Sequence, residues 1–208
     1  MYQGLFSSLS RLGFVVFVLG LGSYACGGDS DTASGSDEDI LFKVNGELND
    51  GRSVRFPFTP VRVYVENIPD GKKEIRKWTD ATDNLINFEF VDERKNADIK
   101  IKYGVQAPLV CGVTYRPDTD RNGNITNADI ELDPKSVVTE FLPFGCNQTV
   151  AHEIGHALGY FGHSDDGGLM DPDGGNGKFT DQTKRVMKKL YSAPPNTGIP
   201  DVASLLVD

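Results

Sequence analysis

The chain has 208 residues, enough for one well-packed domain and too few for two of ordinary size with linkers. Its 30 Asp and Glu against 21 Lys and Arg leave a formal charge of −9. Such a balance argues against binding that relies on phosphate backbones or anionic lipid surfaces, so no nucleic-acid partner is expected.

The N-terminus reads "MYQGLFSSLSRLGFVVFVLGLGSYACGGDSD", with one basic residue, Arg11, an apolar run from Leu12 to Leu21, and small residues ahead of Cys26. The run is too short to span a bilayer comfortably as a permanent helix but suits the apolar region of a secretory signal. Residues 1–25 are therefore expected to be a signal peptide and the chain to be exported. Ser23, Tyr24 and Ala25 satisfy the small-x-small rule for ordinary signal peptidase. The stretch "YACGGDSD" resembles a bacterial lipoprotein junction, which implies a lipid on Cys26 and attachment to the membrane through it. With Cys26 lipidated, Cys111 and Cys146 remain as an even pair, and in an oxidising compartment a disulfide between them is the default expectation.

Residues 26–39 are rich in Gly, Ser and Asp and poor in aliphatic side chains, which predicts a flexible acidic tether. The folded domain is expected over residues 40–208, as a monomer. "ILFKVNG" and "VRFPF" read as short strands around the turn "NDG". "VRVYVEN" alternates cleanly, with Val61, Val63 and Val65 on one face. Ile75, Trp78, Thr82 and Leu85 fall at helical spacing in "GKKEIRKWTDATDNL", with Trp78 expected in the core. "INFEFVDE", "ADIKIKYG", "CGVTYRP" and "ADIELDP" read as further strands. "NQTVAHEIGHALGYFG" reads as a helix closed by glycines, and "TDQTKRVMKKLY" as a helix capped by Thr180. Strands precede the chemistry-bearing helix, so the expected class is α+β, a twisted mixed sheet with an active-site helix and a C-terminal helix.

All three histidines of the chain lie in "AHEIGHALGYFGHSDDGGLMDPDGG". Residues four apart on a helix differ by about 40° in direction, so His152 and His156 project from one face, as two imidazoles on one ion require. Glu153 lies about 100° round from His152, able to reach a water on that ion without being a ligand. Zinc accepts three protein ligands plus water, and binding brings the pKa of that water to roughly 7, so a nearby carboxylate can act as general base. Gly159 allows the chain to leave the helix through a left-handed turn, His163 lies just beyond it, and Met170 follows in "GGLMDP".

This segment resembles the zinc signature and Met-turn of the metzincin metallopeptidases, most closely their matrixin branch. The resemblance implies a metzincin-like fold and zinc-dependent hydrolysis of peptide bonds. It also implies His152 and His156 as zinc ligands, Glu153 as general base, Gly159 as the turn and Met170 as the methionine beneath the metal. The third ligand departs from the pattern, because the family spaces it three residues after the glycine. Gly162 stands there and His163 comes next. His163 is the expected ligand and Asp165 the alternative, since some metzincins use Asp. A non-catalytic surface-anchored binding module on the same scaffold is the rival reading, one in which Glu153 would have no purpose.

In "DTDRNGNITNAD", Asp118, Asp120, Asn122, Asn124 and Asp129 follow the spacing of an EF-hand loop, with Gly123 at the sixth place. Calcium is one reading, and a polar hairpin loop between two strands is the other. "ADIELDP" is taken as the edge strand. The matrixin resemblance implies that protein or peptide substrates lie extended and antiparallel along it, a mode of pairing that depends little on side chains.

Overall fold

The computed structural model of the protein describes residues 36–105, 110–134 and 148–200. The expected signal peptide, Cys26, most of the expected tether and Cys146 fall outside them. Among the described residues no helix is long and apolar enough to cross a membrane.

The first element is helix α1, Asp37–Val44. It begins one residue after Ser36, which forms a capping box with Asp39: the Ser36 hydroxyl accepts from the Asp39 amide while the Asp39 carboxylate accepts from the Ser36 amide. The strand expected at "ILFKVNG" is therefore a helix, and it takes in the last acidic residues assigned to the tether. The residues that face inward, Leu41 and Val44, are three apart, while Phe42 between them stays exposed, which is a helical period rather than a strand alternation. "VRFPF" also forms no strand of its own. Arg55 makes only an isolated bridge with Asn124, and the Ser53 amide and carbonyl pair with Thr197 and Asn196 near the C-terminus of the described chain.

Strand β1, Val61–Val65, helix α2, Gly71–Ala81, and strand β2, Phe88–Phe90, follow. Then come β3, Ile99–Tyr103, β4, Gly112–Thr114, β5, Asp118–Thr119, and β6, Ile125–Leu132. The chain closes with α3, Thr149–Ala157, and α4, Asp181–Ser192, the latter capped by the Thr180 hydroxyl as expected. The fold is α+β with a mixed sheet in the order β2, β1, β3, β6, β4. The first four of these are mutually parallel, while β4 and the short β5 both run antiparallel to β6.

"ADIELDP" is thus not the edge strand. It belongs to β6, which pairs with β3 on one side and with β4 on the other, through Ile101 opposite Ile130 and Thr114 opposite Ile130. Its alternating carboxylates do not blunt a free edge but meet cations across the solvated sheet face, Glu131 with Lys102 at 2.8 Å and Asp129 with Arg94 at 3.4 Å. Among the described residues, the strand that ends the sheet on this side is β4.

The other face of the sheet is apolar. Val61, Val63, Ile99, Ile101, Ile130 and Leu132 are buried and packed in one core with Ile75 and Trp78 of α2 and Ala151 and Ile154 of α3. Trp78 is completely buried, and its indole N–H donates to the Ala151 carbonyl at 2.7 Å, tying α2 to the first turn of α3. Leu85, placed on the same face by spacing alone, lies past the end of α2 and is exposed.

Candidate metal centre

Helix α3 carries His152, Glu153 and His156, and it is short because Gly159 ends it with φ +115°, a conformation costly to any residue with a Cβ. The chain then turns back over the helix end, where the Tyr160 amide donates to the Gly155 carbonyl at 2.9 Å. This turn brings the His163 ring to 5.3 Å from that of His152 and 4.8 Å from that of His156, measured between centroids. One ligand atom from each of the three histidines lies within 4.8 Å of the others. They are the one such group of three or more His, Cys, Asp or Glu residues among the described residues. Asp165, the alternative ligand, is exposed and outside the group.

The tautomers of two rings follow from their partners. His152 Nδ1 is 2.6 Å from the Leu169 carbonyl oxygen, and His156 Nδ1 is 2.6 Å from the Tyr160 carbonyl oxygen. A carbonyl can only accept, so each Nδ1 carries the hydrogen, and in a neutral ring each Nε2 then presents a lone pair. These two Nε2 atoms face each other at 3.0 Å. Two lone pairs at that distance repel unless a cation lies against both. Two nitrogens at 2.0–2.1 Å from a tetrahedral zinc stand about 3.3 Å apart, close to what is seen here. A carbonyl holding the far nitrogen of each ring is also the support that metal-binding imidazoles ordinarily have. The donor set fits a zinc ion.

Protonation of His156 and His163 is opposed. Burial, reinforced by the neighbouring histidines, holds His156 well below its ordinary value, and burial followed by the proximity of His152 lowers His163 to about 4. Both rings are therefore neutral over the physiological range.

Met170, in the loop after His163, is wholly buried. Its carbonyl accepts from the Ser164 amide at 2.9 Å, and the preceding Leu169 supplies the acceptor for His152, so this loop orients a ring on α3. Gly155 makes the approach feasible. A Cβ there would stand 2.5 Å from the Met170 sulfur and 2.7 Å from the Trp78 ring.

Glu153 is buried, and its carboxylate accepts a hydrogen bond from the Thr114 hydroxyl of β4 at 2.6 Å. Burial pushes this carboxyl up from its ordinary value, against the opposing pull of His152 and of the Thr114 hydrogen bonds. Nothing in the sequence pattern singled out Thr114, because the signal lies in strand order and not in spacing.

No family model matches this chain, and no curated protein matches it significantly.

The remaining residues singled out by sequence divide in two. Asp118, Asp120, Asn122, Asn124 and Asp129 belong to the β5–β6 hairpin, and the carboxylates of Asp118, Asp120 and Asp129 accept hydrogen bonds from within the chain. The Asp120 carboxylate accepts from the Asn122 and Asn124 amides at 2.8 and 3.0 Å and from the Asn124 side chain at 2.7 Å, which holds it below its ordinary pKa. Asp118 and Asp129 both accept from the Asn127 side chain, at 3.3 and 3.1 Å. The three carboxylates form no shared cluster, and the arrangement is that of a hairpin loop closed by an Asp turn. Cys111 is disulfide-bonded, while Cys26 and Cys146 lie outside the described residues.

Proposed function

We propose that the chain is a zinc-dependent endopeptidase of the metzincin type, closest to the matrixin branch, acting on extracellular or periplasmic proteins. The observation that carries the reading is the pair of imidazoles whose Nδ1 hydrogens are tied to carbonyls, so that their Nε2 lone pairs converge at 3.0 Å with a third imidazole beside them. A purely structural histidine pair would be arranged to donate to one another or to water, not to oppose lone pairs in a half-buried site. The position of Glu153 next to His152 on the same helix, buried but hydrogen-bonded, supports a catalytic rather than a purely binding role.

His152, His156 and His163 would hold the ion. When bound, zinc supplies Lewis acidity toward a peptide carbonyl and lowers the pKa of water to about 7. Glu153 takes the proton of the attacking water on its carboxylate and returns it to the departing amine. The Thr114 hydroxyl fixes one carboxylate oxygen and leaves the other for that transfer. Strand β4, which ends the sheet beside α3, offers main-chain groups along which an extended peptide would lie, as the matrixin resemblance implies for the edge strand. We extend the proposal to export with a lipid on Cys26, on the sequence of the N-terminus alone.

The test is zinc content together with casein clearing, with and without a chelator. Stoichiometric zinc and chelator-sensitive clearing are expected. A zinc-loaded chain that clears no protein or peptide substrate would turn the reading toward a binding module.

A further inference from the structure

The turn between Gly159 and His163 is one residue longer than the matrixin pattern, and the end of α1 meets it. The Val44 carbonyl accepts from the Phe161 amide at 2.6 Å and from the Gly162 amide at 3.3 Å, so one acceptor serves two successive amides of the lengthened turn. The next residue, Asn45, is 1 % exposed and fully engaged. Its side-chain amide donates to the Gly159 carbonyl at 2.7 Å and to the Val54 carbonyl at 2.7 Å, while its oxygen accepts from the Val54 amide at 2.9 Å. Asn45 thus binds the residue that ends α3 to a segment more than a hundred residues earlier in the chain.

The fit on this side is close. A Cβ at Gly159 would lie 2.6 Å from the Val54 oxygen and 3.1 Å from the Asn45 side-chain nitrogen, and one at Gly162 would lie 3.3 Å from the Val44 Cα. Helix α1 is itself anchored elsewhere, by Leu41 and Val44 in the core and by Asp37, whose carboxylate pairs with Arg185 at 3.0 Å and Lys189 at 3.5 Å on α4. The lengthened turn therefore rests on a fixed support.

We propose that Asn45 and the end of α1 are positioning elements of the metal centre. They hold the lengthened turn so that His163 reaches the ion beside His152 and His156, and this rests on the zinc reading given above. The extra residue is then not slack in the turn, because the Phe161 and Gly162 amides are both satisfied by a carbonyl that the N-terminal segment supplies.

The test compares the full chain with Asn45→Ala, with His163→Ala as the benchmark for a lost ligand. Ser53→Ala is the control, since it removes hydrogen bonds to Pro194 and Thr197 in the same segment without touching the turn. Zinc affinity is measured by competition with a chromophoric chelator, and the turn by hydrogen exchange of the Phe161 and Gly162 amides in metal-free protein. Asn45→Ala should lower zinc affinity about tenfold or more and speed exchange of both amides, as loss of a supporting partner typically does. Ser53→Ala should lower melting temperature but leave affinity unchanged. If Asn45→Ala does not fold, Gly162→Ala presses the turn against Val44 instead and should weaken zinc in the same way. Wild-type affinity in a folded Asn45→Ala or Gly162→Ala protein would overturn the proposal alone. A wild-type chain that binds zinc no better than His163→Ala would overturn the zinc reading, and the proposal with it.

Discussion

The Thr114 hydroxyl donates to the Glu153 carboxylate at 2.6 Å and stands 2.9 Å from the Glu153 main-chain carbonyl. One hydroxyl hydrogen cannot fully serve both acceptors, and the shorter contact, to the carboxylate, takes it. Thr114→Val keeps the shape and removes the donor. Turnover of a peptide substrate should fall about tenfold, as loss of a hydrogen bond to a charged group costs about 1.5–3 kcal/mol. KM should change little, and Thr114→Ser should restore the rate. Unchanged turnover in the valine variant would show that the carboxylate is held by other means.

Glu153→Gln should retain zinc and lose at least about a hundredfold in turnover, since general acid–base catalysis typically contributes that much or more. Metal content and rate on the same preparation decide it. A zinc-replete variant of full activity would remove Glu153 from the mechanism.

His163 and Asp165 now make opposite predictions. His163→Ala leaves two imidazoles, and zinc affinity should fall steeply. Asp165→Ala changes an exposed residue outside the cluster and should leave affinity as it was. The reverse pattern would mean that the carboxylate moves in when metal arrives.

Acid should weaken the metal-free fold. The His163 pKa is lowered from an unfolded value of about 6.5 to about 4, so between those values the unfolded chain binds a proton that the folded chain refuses. Stability is full above the unfolded pKa and declines as pH falls toward 4. His156 acts in the same direction, and the raised carboxyl of Glu153 acts in the opposite one. Urea midpoints in chelator at pH 7.5, 5.5 and 4.5 should decrease in that order, with a shallower decline in His163→Ala. Equal slopes in the two proteins would show that His163 is not held neutral by the fold.

Gly155→Ala should destabilise by about 1–3 kcal/mol, the usual cost of overpacking a filled core. The added methyl would meet both the Met170 sulfur and the Trp78 ring. A thermal melt equal to wild type would mean that the loop carrying Met170 yields freely.

The histidine helix, its glycine exit, the Thr180 cap and the burial of Trp78 could be read from sequence because each depends on residues within a few positions of one another. The helix at Asp37–Val44 could not, since "ILFKV" is as compatible with a strand and only the Ser36 and Asp39 capping pair argued otherwise. The edge of the sheet was misplaced for a different reason. Alternation in "ADIEL" reports one buried face and is silent about whether both backbone edges are paired, which is decided by β3 and β4 far away in the chain. The spacing of Asp118 to Asp129 fits a cation loop and a hairpin equally, because Asp, Asn and Gly at those positions suit both. Support from Thr114 and Asn45 has no local pattern at all.

The carbonyl of Val44 joins two parts of the protein that sequence keeps far apart, and linkage of this kind runs both ways. Whatever free energy the N-terminal helix lends to the grip on zinc, the ion must lend back to the helix. Stripping the metal would therefore be felt some distance from it, as faster opening of Asp37–Val44. Metal-free protein would then be loosened already at the helix that opens the described chain.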